Sequence, residues 1–274
     1  MTRITTLIEN SQGEHLALVS EHGLSFCVET GGCKLLFDTG QSGNFIANAA
    51  ELRIGLDDLD FVVLSHGHYD HSGGLRALLE HTQSFELVVG NGFFKDKYAD
   101  FNGRHEFLGN NFTEAFLKDR KVRYSEMAGP VRELAPGVYV MTDFPRNHPD
   151  EVIKDRFKLL EGAAFMPDRF DDEVMLVVDT PKGLVAVLGC SHPGMRNMLD
   201  AAKSRLGKPI YAVLGGTHLV EASHEGMGAS LEYLHTTGIE VIGVSHCTGS
   251  GAMKTLGESE KRYFHNRTGS ALVV

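Results

Sequence analysis

The 274-residue chain contains no tryptophan, four cysteines and no excess of basic residues. No apolar run approaches the about 18 residues that read as a membrane helix. The first residues show no basic segment, apolar core and small-residue cleavage site of a secretory leader. The cysteines, at 27, 33, 190 and 247, have no C-x-x-C spacing and do not read as a disulfide framework. Lys and Arg number 26 against 36 Asp and Glu, a net charge of −10, which argues against a nucleic-acid-binding surface and leaves room only for a local basic pocket. A G-x-S-x-G elbow and a P-loop are both missing, so nothing suggests a serine nucleophile or an NTPase. Tandem repeats, coiled-coil heptads and low-complexity segments are also absent. These gaps point to a soluble, cytoplasmic protein of a reducing compartment, and 42% hydrophobic residues suffice for a substantial core.

What the chain does have is the stretch Phe61 to Leu75. It opens with Phe-Val-Val-Leu, a short buried strand by composition. His66, His68, Asp70 and His71 follow among small residues. In an extended segment residues i and i+2 point the same way, so His66 and His68 can face one ion together. Asp70 and His71 point apart and suit a second ion. Imidazole and carboxylate suit Zn, Fe or Mn. The plainer reading is a polar loop in which Asp70 caps the following helix.

Around this stretch, residues 3–8 read as a strand. Leu24–Thr30 and Lys34–Phe37 form a hairpin about Gly31-Gly32, with Phe26 and Val28 on one face and Cys27 on the other. Cys27 and Cys33 read as small buried hydrophobes. Helices are expected over Asn44–Leu52, from Leu75 to about His81, over Met195–Leu206, and from Ser223 to Thr236. Further strands are expected at Phe85–Val89, Val122–Tyr124, Val138–Met141, Val174–Val178, Leu184–Leu188, Ile210–Leu214 and Ile239–Val244. Three more histidines, His192, His218 and His246, follow apolar runs at strand ends. Residues 91–170 are rich in aromatics and weakly periodic. Arg146, with Lys154 and Arg156 nearby, could bind phosphate. His81 and His105 read as ordinary surface histidines.

The H-x-H-x-D-H stretch, with Phe37-Asp38-Thr39-Gly40 before it, resembles the metallo-β-lactamase-fold hydrolase superfamily. Gly189-Cys190-Ser191-His192, Gly215-Gly216-Thr217-His218 and Ser245-His246-Cys247-Thr248-Gly249 resemble a branch labelled 7,8-dihydropterin-6-methyl-4-(β-D-ribofuranosyl)-aminobenzene-5′-phosphate synthase-like. The resemblance implies an α/β fold, a four-layer αββα sandwich. It implies one domain over residues 1–274, with an insertion at about 91–170 over the site. Such a segment could shape the substrate pocket or pair with another subunit as a homodimer.

It further implies two divalent metal ions per chain, with Zn favoured over Fe or Mn. His66, His68 and His192 would hold one, and Asp70, His71 and His246 the other, with Asp38 supporting from behind. Relatives carry Gly-Asp where this chain has Gly189-Cys190. Cys190 is then either a thiolate ligand or a neutral buried thiol. His218 is either a catalytic group beside Asp70 or a structural residue. The implied function is a metal-dependent hydrolase or transferase acting on a small phosphorylated substrate. The branch label implies condensation of a dihydropterin pyrophosphate with ribofuranosyl-aminobenzene phosphate. The alternatives are a diiron oxidoreductase on the same fold, whose flavin module is not visible, and a ligand-binding protein without turnover.

Overall fold

Alternation along each strand decides which layer a side chain joins. In the computed structural model, which describes residues 1–274, the strands assemble into two large sheets and one small one. Phe26, Val28, Leu35, Phe37, Val63 and Val88 of the first sheet pack against Leu176, Val178, Val185, Val187 and Leu214 of the second. The intervening residues Cys27, Leu36, Val62, Leu64 and Leu87 turn outward, onto Phe45, Ala49, Leu75 and Leu78 of the flanking helices. The second sheet does the same with Met175, Val177, Leu184, Ala186 and Leu188 against Met198, Leu199, Leu234 and Leu256. Three apolar layers between four structural layers make an αββα sandwich. Each fully buried side chain of this kind contributes about 1.5–3 kcal/mol. A charge at Val63, 0% exposed, would face both sheets without a partner.

The first sheet runs Ala271–Val273, Thr2–Ile8, Ser25–Thr30, Cys33–Phe37, Phe61–Leu64, Glu86–Val89, Tyr124–Glu126. The second runs Val241–Ser245, Ile210–Gly216, Gly183–Leu188, Met175–Thr180, Val138–Met141, Val131–Ala135. Parallel pairing joins Cys33–Phe37 to Phe61–Leu64, Gly183–Leu188 to Ile210–Gly216, and Ile210–Gly216 in turn to Val241–Ser245. Parallel strands leave their carboxyl ends at one edge, where open α/β sheets carry their sites. Helices Asn44–Glu51 and Leu75–His81 cover the first sheet; Met195–Leu206, His224–Thr236 and Ser250–Ser259 cover the second.

The hairpin at Gly31-Gly32 has φ of +57° and +84°, the conformation that a tight two-residue turn requires. The helix after Ser223 is capped by that side chain, whose Oγ accepts from Gly226 N at 3.0 Å. The helix Met195–Leu206 has the expected bounds. Other elements depart from expectation. Residues Tyr69–Ser72 form one helical turn, the strand expected at Val122–Tyr124 lies at Tyr124–Glu126, and Ser250–Ser259 and Ala271–Val273 had no assignment. Residues 91–170 divide among all three sheets. Lys97–Phe101, Arg104–Phe107, Phe157–Glu161 and Ala164–Pro167 form the small third sheet, while the other strands extend the two large ones. No helix is long and apolar enough to cross a membrane.

Candidate metal centre

Every loop that carries a candidate ligand has a backbone N–H held by a buried carboxylate. Asp38 Oδ1 accepts from Ser65 N at 2.7 Å, and Asp172 Oδ2 from Gly67 N at 2.9 Å. Glu173 accepts from Ser191 N at 2.5 Å and His192 N at 2.9 Å. Glu9 Oε1 accepts from His246 N at 2.8 Å. These bonds to buried acidic side chains fix loops that leave the strands abruptly. Asp38, Phe170, Ser191, His218 and His246 all have left-handed backbones, with φ of +62°, +52°, +63°, +51° and +56°. They are five of the nine non-glycine residues in that region, so backbone strain concentrates here. Gly189 is required by contact: a Cβ there would lie 2.3 Å from Ser65 Oγ, where the two sheets meet.

His66, His68 and His192 bring ring nitrogens to within 4.8 Å of one another. All three are buried, and burial holds each well below the usual histidine range, so they are neutral. The Ser65 hydroxyl donates to Asp38 Oδ2 at 2.8 Å and lies 2.9 Å from His66 Nδ1. It must therefore accept from His66 Nδ1–H, which leaves the lone pair on Nε2. That Nε2 faces His68 Nδ1 at 3.1 Å. His192 Nε2 is buried with no hydrogen-bond partner. His68 Nε2 is likewise unpartnered, and converging imidazoles with two orphaned nitrogens fit a cation.

The second group is built differently. His71 Nδ1 lies 2.6 Å from Asp38 Oδ2, which turns Nε2 toward Cys190 Sγ at 3.2 Å and Asp70 Oδ2 at 3.7 Å. His246 Nδ1 pairs with Asn10 Oδ1 at 2.8 Å, so its Nε2 lone pair faces Asp70 Oδ2 at 3.4 Å. A lone pair aimed at a carboxylate is repulsive unless a proton or cation lies between. Burial pushes the Asp70 carboxyl up, but His71, His22 and His246 outweigh it and hold it well below its ordinary range. Burial likewise pushes His71 down, yet the Asp38 and Asp70 carboxylates lift it to about 9. The group thus keeps a positive charge among its acceptors, and a divalent ion can replace that proton. The turn Tyr69–Ser72 has no side-chain cap, so the Asp70 carboxylate is committed to the histidines.

Cys190 lies between the two groups, within 4.8 Å of His66 and His71 and also of His246 and Cys247. Burial pushes its thiol well up. His218 stands beside His192, ring centroids 4.2 Å apart, and is lowered to about 3, chiefly by burial. His192 and His218 line a cavity of about 250 Å³ with Phe157, Glu221 and Ser230. Arg146 is not brought to it: that side chain donates to Arg169 O at 2.8 Å and lines a separate cavity with Thr142 and Glu173. His81 is exposed near Asp57, and His105 stacks on Phe165.

Several site residues carried no assignment from sequence. His22 Nε2 reaches Asp70 Oδ2 at 3.2 Å from a loop where a lone histidine gives no signal. Lys97 is 1% exposed and bonds Asp168 at 2.6 Å and Asp172 at 2.9 Å. Asp172 holds Gly67, and Asp168 Oδ1 holds Phe170 N at 2.7 Å, so this ion pair links the third sheet to the H-x-H loop. Phe170 in turn stacks on His192 with centroids 3.6 Å apart. Asp172 and Glu173 belong to an acidic triplet ahead of an apolar strand, a juxtaposition that could have flagged a buried acid.

Residues 21–89 match the sequence profile of the metallo-beta-lactamase superfamily. Over 96% of its length the chain is 32% identical to a 7,8-dihydropterin-6-methyl-4-(beta-D-ribofuranosyl)-aminobenzene-5'-phosphate synthase of Methanocaldococcus jannaschii, 92% of which is covered. The fold superposes on Tm1679, described as a metal-dependent hydrolase of the beta-lactamase superfamily, with a TM-score of 0.84 and 27% identity, covering 100% of this chain and 99% of that one. Zn(2+)-bound PqqB from Methylobacterium extorquens shares the fold at a TM-score of 0.60 and 15% identity, covering 99% and 100% of the two chains.

Proposed function

The chain belongs to the metallo-beta-lactamase superfamily, and from that premise we propose that it is a metal-dependent transferase acting on a small phosphorylated substrate. The observation that carries this is the convergence of two ligand groups on one edge of the sandwich, the first with His68 Nε2 and His192 Nε2 unpartnered and the second with the His246 lone pair facing the Asp70 carboxylate. His66, His68 and His192 would hold one divalent ion; Asp70, His71 and His246 would hold the other, with Cys190 between. Zinc suits nitrogen, oxygen and sulfur donors together. Two such ions neutralise charge on phosphoryl oxygens and acidify water.

The remaining work belongs to the protein's own groups. Asp38 fixes the ring of His71 directly and that of His66 through Ser65. Asp70 contributes the negative charge that offsets a bound cation. His218, neutral and at the wall of the cavity, can accept a hydrogen bond from the substrate and orient it. The likeness to the synthase suggests the reaction. An arylamine nitrogen displaces pyrophosphate from the methylene carbon of a dihydropterin; the C–O bond breaks, an N–C bond forms, and the amine passes its proton to the departing pyrophosphate. The test is pyrophosphate release by zinc-loaded protein supplied with both substrates. Release dependent on the arylamine supports the transferase. Release without it indicates a hydrolase, and turnover only on phosphodiesters or lactones refutes the pterin reading.

A further inference from the structure

Eleven buried side-chain nitrogen or oxygen atoms in the protein lack a hydrogen-bond partner, and three of them belong to residues around one cavity. They are His192 Nε2, Glu221 Oε2 and Ser230 Oγ. The first is explained by a metal ion. The other two lie in the turn Leu219–Glu221, which follows His218 directly, and in the helix His224–Thr236. Glu221 is held by Arg156, whose Nε donates to Oε1 at 2.7 Å; Oε2 has His218 Nε2 3.8 Å away, beyond hydrogen-bond distance, and no hydrogen-bond partner. Arg156 also lies over the Phe157 ring at 4.1 Å, which ties the carboxylate to the aromatic wall. Ser230 is 1% exposed. A buried carboxylate oxygen and a buried hydroxyl without partners are costly unless a ligand completes them.

We propose that this cavity is the subsite for a planar nitrogen heterocycle that donates N–H hydrogen bonds, with Glu221 as its acceptor and Ser230 as a second polar contact. Elsewhere in the wall Val152, Ile153, Phe157, Leu219 and Ala222 offer apolar faces for a flat ring, alongside polar groups of Asp150, Glu151, Lys154, Thr217 and Ser223. About 250 Å³ lies just below the range of drug-sized pockets and suits one fused ring system. A phosphate alone would leave those apolar faces uncovered, and its charge would meet Asp150, Glu151 and Glu221 against the single lysine, Lys154. The ring would sit beside His192, so a phosphorylated arm on it would reach the candidate metal centre. This assignment rests on the transferase reading for its choice of ring, the 2-amino-4-oxopyrimidine half of a pterin. Its chemistry rests on the cavity.

The test is equilibrium titration of the zinc-loaded protein with 6-hydroxymethylpterin, which lacks the pyrophosphate. The ring is fluorescent, and with no tryptophan in the chain its emission can be followed directly. Saturable one-to-one binding is expected, weakened about tenfold or more in Glu221→Gln and severalfold in Ser230→Ala. Arg146→Ala should bind as wild type. Ribose 5-phosphate and inorganic phosphate, as competitors, should not displace the ring. Unsaturable binding, displacement by phosphate, or affinity unchanged in both folded variants overturns the subsite. Should Glu221→Gln lose its native circular dichroism, Ser230→Ala decides alone. Ring binding with this dependence but no pyrophosphate release would uphold the subsite and sink the proposed reaction. Release of pyrophosphate with no dependence of ring binding on Glu221 would do the reverse.

Discussion

The two ligand groups lie side by side yet are built on opposite electrostatic plans. His66, His68 and His192 are three neutral imidazoles, set against Phe157 and Phe170. Asp70, His71, His246 and Cys190 combine imidazoles with a carboxylate, and a second carboxylate, Asp38, stands directly behind His71. The first group offers lone pairs without charge. The second holds so much negative potential that it retains a proton when no metal is bound. An ion in the first group gains coordination but little neutralisation; one in the second gains both. The two positions should therefore differ in affinity, in pH response and in sensitivity to loss of a carboxylate.

The largest expected effect breaks this asymmetry. Asp70→Asn keeps the shape and removes the charge, and activity should fall by about 10²-fold or more. Elemental analysis should show the second ion lost and the first retained, with circular dichroism unchanged. Full metal content and near-normal turnover would mean that Asp70 has only a local structural role. A smaller effect is expected from Asp38→Asn. It weakens a direct bond to His71 but reaches His66 only through Ser65. Metal affinity should drop about 10–100-fold at the second position and less at the first, read by competition with a chromophoric chelator. Equal losses at both would refute the division.

The smallest effect is in pH. His71 is raised to about 9 in the folded, metal-free chain, against about 6.5 unfolded. Its contribution to stability is thus complete below about pH 6.5 and disappears as pH rises through about 9. Burial raises Glu173 to about 8, which acts in the same direction. The first group's imidazoles, neutral in the fold but partly protonated when unfolded near pH 6.5, act the other way at the foot of this window and contribute nothing above about pH 7.5. Thermal melts of metal-free protein should lose midpoint temperature from about pH 7.5 to 9. Zinc-loaded protein should lose less, because the ion replaces the proton on His71.

Legibility from sequence followed the range over which each interaction acts. Strand alternation is local, so Phe26 and Val28 separate from Cys27 as read, and Ser223 caps its helix as its spacing suggests. His66, His68, Asp70 and His71 stand in one short stretch and announce themselves. Glu9, Asp172 and Glu173 do not: each acts on the backbone of a distant loop, and Glu9 lies 237 residues from His246. Lys97 reads as a surface lysine because nothing nearby reveals Asp168 and Asp172. The third sheet does carry a local signal. Asn102-Gly103 is a strong two-residue hairpin turn, and both residues have positive φ, +56° and +87°. The aromatics on either side obscured it. The expectation that Arg146 joins the substrate site rested on nearness in sequence to Lys154 and Arg156, and the chain takes Arg146 to another cavity.

The left-handed residues at the strand ends set stability and chemistry against each other. Asp38, Phe170, Ser191, His218 and His246 each hold a side chain where the backbone favours glycine, at a cost of about 1–2 kcal/mol per residue. Replacing any of them with glycine would relax the main chain while removing a group that orients, stacks or donates a lone pair. By its conformational preferences alone, the chain would be sturdier with its site erased. The edge of the sandwich is therefore its least optimised part as a scaffold, and attempts to harden the protein by idealising its loops would dismantle the centre first.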